Sequence, residues 1–461
     1  MFRGWAGGPP KLEGMYVRAV SSPGLDSTGA GEDEADSQQA PAGGGPPRAA
    51  NPFSVGERIR AFRALLDRPL TSYHLIVGIT TLLLCLGLVM VLSTASVTDL
   101  SNGESPYTDF EFQLAGIIVG LPVMWLVARS SPRLFRAAAY PLLAVAIIGL
   151  LLTLIPGVGR TEDQTARWIQ VGSITIQPSE FAKLALAVWG ADLLARKEKL
   201  GLLADWRHML VPLMPGAGVL ALLVMAGDDA STTVILLVIF IALLWVIGTP
   251  GRVFSALLIL MGLVLLLLIV TEGYRIKRIT GFLDSGNTDP TGTNMQAIQG
   301  KYALGSGGLW GVGLGASTEK WDWLPASTTD FIFAIIGEEL GLIGTLCVTA
   351  LYGGLAWAGL RVARRVPDTF SRLAAAAITA WIVSQAVLNI GAVIGVFPIT
   401  GVPLPLVSKG LSSVLVTMVG LGMLMSFARR EPGASQALAA RGPGVAARAL
   451  SWLGRRGERG T

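Results

Sequence analysis

The sequence predicts an all-α polytopic membrane protein: a bundle of about ten transmembrane helices with both termini in the cytoplasm and long outer loops. Three observations lead there. The 461-residue chain is 52% hydrophobic and only 15% charged, against roughly 25% charged in a soluble domain, so it lacks the charges to cover a water-facing surface. Its apolar residues gather into runs of bilayer-spanning length. The short loops between the runs alternate between basic and acidic or neutral, and that alternation orients the bundle.

Residues 1–68 are rich in Gly, Pro, Ala and Ser, with an acidic knot at Glu32, Asp33, Glu34 and Asp36. Such a composition cannot bury a core and is expected to be a disordered cytoplasmic tail. No apolar stretch follows a basic start near Met1, so the segment does not read as a signal peptide. Arg58 to Arg68 is basic and mildly amphipathic, with Phe62, Leu65 and Leu66, and is expected to lie on the membrane surface.

The membrane domain is expected over 69–430. Its spans are placed at Tyr73–Ser96, Phe112–Ala128, Ala138–Ile155, Glu180–Leu194, Met209–Ala226, Ser231–Ile247, Val253–Val270, Phe331–Leu360, Ala374–Val396 and Leu404–Phe427. The fourth is the weakest, being short and carrying Glu180, Lys183 and Asp192. It is retained because dropping it breaks the loop alternation. Arg58, Arg60, Arg63 and Arg68 precede the first span; Asp99, Glu104, Asp109 and Glu111 follow it; Arg129, Arg133 and Arg136 come next. Arg196, Lys197, Lys199 and Arg207 follow the fourth, and Arg361, Arg364, Arg365 and Arg372 lie between the eighth and ninth. Basic loops stay inside, so the two longest loops, 157–179 and 271–329, face outward. Residues 431–461 are expected to be a solvated, disordered cytoplasmic tail that could touch anionic lipid.

Cys85 and Cys347 lie inside apolar runs and read as packing residues, and His74 and His208 stand alone. No Cys/His cluster suggests a structural metal site. The net charge of +5 reflects loop asymmetry, with no nucleic-acid partner implied.

Chemistry is expected where polar residues meet the outer ends of the spans. Asp330 stands where the polar loop 299–329 gives way to the apolar run from Phe331, so a carboxylate meets water at a helix mouth. Gln177-Pro178-Ser179-Glu180 reads as a helix start, with Pro tolerated in the first turn and Glu180 at the positive end of the dipole. Lys183 shares a face with Glu180, and a lysine one turn below a helix start can hold a phosphate; the alternative is an ion pair that only holds the bundle. Burying such charges costs on the order of 3 kcal/mol each unless they are paired. Glu338 lies about 12 Å deeper than Asp330 along the helix and needs a cation, with Lys183 or Lys409 as candidates; structural pairing is the plainer reading for Glu338 and Glu339. Arg275, Lys277 and Arg278 break the charge rule on the outer side and either bind acidic groups or lie flat on the membrane. The glycines of 305–315 form no Walker motif and suit close turns.

With these clusters in place the chain resembles the SEDS (shape, elongation, division and sporulation) family, the FtsW/RodA group, over about Ser72 to Arg430. The carrying motifs are Gly87 to Ser93, Arg167-Trp168-Ile169, Gln177 to Lys183, Thr329-Asp330-Phe331-Ile332-Phe333-Ala334 with Gly337-Glu338-Glu339-Leu340-Gly341, and Pro398 to Ser413. The long tails and the wording of the Gly-rich loop resemble the division branch more than the elongation branch. The resemblance implies a peptidoglycan glycosyltransferase of the cytoplasmic membrane, at the division septum, that polymerises lipid II with a class B penicillin-binding protein transpeptidase and other division or elongation proteins as partners. It maps the catalytic aspartate to Asp330 and substrate-binding residues to Arg167, Trp168, Glu180, Lys183 and Asp229; Lys409, within a segment that departs from the family motif, is a further substrate-binding candidate. No cofactor is certain, and a divalent cation, Mg or Mn, is a candidate helper for a diphosphate leaving group. The chain departs from the family pattern at Ala326-Ser327-Thr328, Asp228-Asp229-Ala230-Ser231-Thr232, Asn294-Met295-Gln296 and Ser408-Lys409-Gly410-Leu411-Ser412. Two other classes compete. The charges inside the spans also suit a flippase for a lipid-linked precursor, although the polar clusters gather on one face. The departures also suit a non-catalytic cell-division scaffold.

Overall fold

The computed structural model describes residues 69–437 apart from 102, 104, 157–158, 163–164, 173, 271–294, 322 and 435. The expected tail 1–68 with its basic segment 58–68, residues 438–461 of the expected tail 431–461, and Arg275, Lys277 and Arg278 lie outside the described residues; within 431–437, Glu431 and Ala434 are buried against the bundle.

Every expected span coincides with a helix. They are α1 (Thr71–Ser101), α2 (Thr108–Arg129), α3 (Pro132–Thr153), α4 (Pro178–Lys199), α5 (Trp206–Leu210) with α6 (Leu213–Ala226), α7 (Ala230–Ile247), α8 (Gly251–Val270), α10 (Ile332–Arg365), α11 (Thr369–Val393) and α12 (Leu411–Ala428). A further helix, α9 (Met295–Ser306), lies in the long outer loop. Among the described residues eight helices are long and apolar enough to cross a membrane. The fourth span misses that standard through its charges, and α8 through the shorter stretch Gly251–Val264. Large apolar side chains such as Ile118, Val145, Leu222, Trp245 and Ile259 are exposed around the bundle, as a lipid-facing perimeter requires.

Local chemistry sets the helix ends. Pro132 and Pro178 open α3 and α4, where the missing N–H has no partner to lose. Asp109 and Glu111 sit in the first turn of α2 and Arg129 in its last, matching the helix dipole. Asp229 caps α7 through the Thr232 amide at 3.0 Å, and Asp368 caps α11 through that of Ser371 at 3.0 Å. The fifth span is broken between α5 and α6, because Pro212 has no N–H to give the helix. The tenth helix begins at Leu411, not Leu404: Pro403 and Pro405 interrupt the amide ladder, and Leu406 is held at φ 67°.

The charged helix α4 stands at the centre of the bundle. It packs against α3, α11 and α7 and is buried from Pro178 to Ala195 except at Phe181. That position explains how a span carrying Glu180, Lys183 and Asp192 survives: it meets protein on most sides. Near its inner end Asp192 is fully buried and bonds Arg136 at 2.8 Å and Arg196 at 2.7 Å.

The all-α expectation needs one addition. The outer loop between α3 and α4 forms a three-stranded antiparallel sheet of β1 (Gly159–Glu162), β2 (Thr165–Val171) and β3 (Ile174–Ile176). Arg160 pairs with Trp168 and Ile169 with Ile176. Gly172 at φ 65° turns β2 into β3, and this Gly-Ser step is an ordinary hairpin signal.

Candidate functional site

Asp330 closes a turn that leads into α10. Ala326, at φ 58°, offers its carbonyl to the amides of Thr329 and Phe331, both at 3.1 Å. The aspartate is half-buried. With Phe331, Asn389, Val393, Thr400 and Gly401 it lines a small hollow between the α10 mouth, the end of α11 and the loop after it. Gly401, at φ 67°, packs beside the carboxylate: an added Cβ would lie 3.5 Å from Asp330 Oδ2, an ordinary contact, so it is the backbone angle that favours glycine here.

The other wall of the hollow is the 401–410 loop. Lacking helix, its carbonyls need donors from elsewhere. Asn389 Nδ2 donates to Val402 O at 2.7 Å, Gln385 Nε2 to Pro403 O at 3.0 Å, and the Tyr352 hydroxyl to Pro405 O at 2.5 Å. The polar face of α11 therefore braces this loop.

One turn below Asn389, Gln385 Oε1 accepts from Lys183 Nζ at 2.8 Å, and Lys183 bonds Glu180 Oε1 at 2.6 Å. Lys183 is fully buried, with Trp381 beside it at 5.4 Å from the ring centre. The expected Glu180–Lys183 pairing is present. Among the described residues the bonds of Lys183 go to Glu180 and Gln385, and one turn above, Asn389 Nδ2 donates to Asp330 O at 2.8 Å.

Arg167 and Trp168 sit half-buried on β2. Arg167 donates to the Asp228 carbonyl at 2.6 Å, which ties the sheet to the start of α7. Asp229 is 4% exposed and, besides capping α7, accepts from Ser179 Oγ at 3.2 Å and Gln177 Nε2 at 3.4 Å. It joins the mouths of α4 and α7. Lys409 forms an ion pair with Asp109 of α2. Next to them Asp99, just past the first span, has its carboxyl pushed up by burial and then by the neighbouring Asp109, with Lys409 opposing.

The expected partners of Glu338 are corrected by the structure. Neither Lys183 nor Lys409 reaches it. Glu338 instead accepts from Ser317 Oγ at 2.5 Å, Thr318 N at 2.8 Å and Thr318 Oγ1 at 2.9 Å. Glu339 pairs with Lys320 at 3.2 Å and accepts from Ser93 Oγ at 2.6 Å. The glycine-rich loop thus folds back over a break in α10 at Gly341, whose φ is 69°. Val312 N and Gly313 N complete the clasp on the carbonyls of Glu338 (2.9 Å) and Glu339 (3.1 Å). Sequence reasoning passed over Lys320, which stood within a short charged stretch with no periodicity to mark it, and placed Ser93 in a motif without assigning it a partner.

Polar side chains gathered at one end of an apolar helical bundle, around a half-buried carboxylate at a helix mouth, define a membrane-embedded enzyme acting at the membrane surface. The FtsW/RodA/SpoVE model of cell cycle proteins matches residues 73–432, and the chain belongs to that family. It is 43% identical over 398 residues to the probable peptidoglycan glycosyltransferase FtsW of Mycobacterium tuberculosis, covering 86% of this chain and 75% of that one. Stage V sporulation protein E of Bacillus subtilis is 37% identical over 357 residues, covering 77% and 96%. The crystal structure of the rod shape determining protein RodA of Thermus thermophilus is similar with TM-score 0.56 and 26% identity, covering 77% and 96%. A chain from a peptidoglycan synthase complex coordinating polymerization and crosslinking is similar with TM-score 0.61 and 26% identity, covering 77% and 96%.

Proposed function

We propose that the chain is a peptidoglycan glycosyltransferase that polymerises lipid II at the outer face of the cytoplasmic membrane during septal division. The observation that carries this reading is the setting of Asp330: a half-buried carboxylate beside a hollow at the membrane surface. By contrast Glu180, Asp229, Glu338 and Glu339 are each 4% exposed or less.

Asp330 acts as general base. It takes the proton from the 4-hydroxyl of the acceptor N-acetylglucosamine while that oxygen attacks the anomeric carbon of the donor. The bond from that carbon to the diphosphate breaks, and polyprenyl diphosphate leaves. Base catalysis supplies about 10²–10⁴-fold. The leaving diphosphate needs positive charge. Arg167 is half-buried at the outer sheet, whereas Lys183 reaches a diphosphate only if its pair with Glu180 opens. Among the described residues no three His, Cys, Asp or Glu side chains could together hold a metal ion. A Mg or Mn ion, if bound, would supply further positive charge to that diphosphate. Substrate contacts from Trp168, Asp229 and Lys409 are part of this reading, as is docking of a class B penicillin-binding protein transpeptidase.

The test is polymer formation from lipid II by purified protein in detergent, with and without that transpeptidase. Asp330→Asn is expected to lose more than 100-fold in rate while melting like the unaltered protein. Normal turnover in that variant removes Asp330 from the mechanism. Detergent also separates this reading from lipid transport, since only a polymerase makes glycan without a sealed compartment.

A further inference from the structure

Three consecutive main-chain carbonyls lead into the Asp330 side chain, and each is held from outside its own turn. Lys409 N donates to Thr328 O at 3.0 Å. Ser408 Oγ donates to Thr329 O at 2.5 Å. Asn389 Nδ2 donates to Asp330 O at 2.8 Å. Within the turn the carbonyl of Ala326 takes two amides, and the regular helix begins only at Ile332. The backbone of 328–330 is thus set by its neighbours.

The donors are fixed in their turn. Ser408 is 3% exposed and its Oγ also accepts from Leu404 N at 2.7 Å, so the hydroxyl hydrogen is left for Thr329. Gln113 of α2 brackets the same corner, donating to Ser408 O at 3.3 Å and accepting from Gly410 N at 3.2 Å. Asn389 is 2% exposed. Its Nδ2 meets two carbonyl oxygens, those of Asp330 and Val402. A flipped amide would set oxygen against oxygen twice, so the orientation is determined by its partners. Its Oδ1 is buried and has no hydrogen-bond partner among the described residues.

We infer that Asn389 and Ser408 are positioning residues for Asp330: acting through the carbonyls of residues 329 and 330, they fix where the carboxylate stands relative to the hollow. This rests on the proposed role of Asp330 as base. A base displaced by about 1 Å costs on the order of 10²-fold in rate, while substrate bound elsewhere on the surface is unaffected. Loss of either donor therefore lowers kcat and spares KM. Removal of a substrate contact has the opposite signature.

The experiment measures kcat and KM for lipid II with full-length Asn389→Ala, Ser408→Ala and Ser408→Thr, with Asp330→Asn as control. Hydrogen exchange of the peptide spanning 326–332 gives a readout independent of activity. The expected result is a 10- to 100-fold fall in kcat for both alanine variants, KM within threefold, faster exchange in 326–332, and recovery of both in Ser408→Thr, which keeps the hydroxyl. Wild-type kcat in both alanine variants overturns the inference, as does a rise in KM at constant kcat. Should Asn389→Ala fail to fold, the Ser408 pair decides alone. Wild-type turnover in Asp330→Asn, with exchange still faster in the alanine variants, refutes the base role but leaves the positioning of the turn standing.

Discussion

Lys183 shows what a single buried charge demands of its surroundings. It is sealed among Glu180, Gln385 and Trp381, and removing its counter-ion strands it. Glu180→Ala is expected to cost about 3–5 kcal/mol, whereas the double replacement Glu180→Gln with Lys183→Met recovers most of that; thermal unfolding in detergent distinguishes the two. Glu319 gives a pH test in the outer loop. Burial, and then the charge of Glu338, hold its carboxyl above the ordinary 4.5. The folded protein therefore binds this proton more readily than the unfolded chain, and stability falls as pH rises above about 4.5. Glu319→Gln is expected to melt higher than the unaltered protein at pH 7, with the gap closing below pH 4.5. At this scale the sequence revealed the residues whose spacing has a meaning. Glu180 and Lys183 are one turn apart, and Asp330 sits at a change of composition. Ser408, Lys320 and Ser93 could not be assigned partners, because those partners, Thr329, Glu339 and again Glu339, are far along the chain and carry no periodic signal.

Among the elements, α10 shows how a long apolar run can hide a break. At Gly341 an added Cβ would lie 2.4 Å from Gly311 N and 2.5 Å from Leu309 O, at a φ of 69°. Gly341→Ala is expected to cost about 1–3 kcal/mol in backbone strain alone, with more from the lost contact with the glycine-rich loop. Proteolysis within 307–320 should accelerate in that variant; an unchanged cleavage rate would mean the loop is held by other means. The helices were legible because an apolar run of this length has one outcome in lipid. The break was not, since a glycine inside an apolar run signals several things equally well. The late start of α12 was readable in principle from Pro403 and Pro405. The small sheet was readable from Gly172, but its strands are short and lie in a polar loop where apolar patterning is faint.

For the whole molecule, apolar runs placed the spans, where helices are found, and loop charge alone oriented them. In a background lacking Cys85 and Cys347, Ser105→Cys is expected to react with a membrane-impermeant maleimide on intact cells, and Leu200→Cys only after permeabilisation. The reverse pattern, Leu200→Cys labelled from outside and Ser105→Cys only after permeabilisation, would invert the bundle and remove Asp330 from the outer surface. The central place of α4 carries a consequence for synthesis. Glu180, Lys183 and Asp192 make this segment a poor solute for hydrocarbon; their ion pairs lie within α4 and with Arg136 of α3, but Gln385 of α11, which accepts from Lys183, and the α7 and α11 walls that cover α4 are made later by the ribosome. The nascent segment cannot settle alone. It must linger beside the insertion machinery, or at the bilayer rim, until the C-terminal half arrives to receive it, so a chain truncated before α11 should leave this segment outside the membrane and be cleared by quality control.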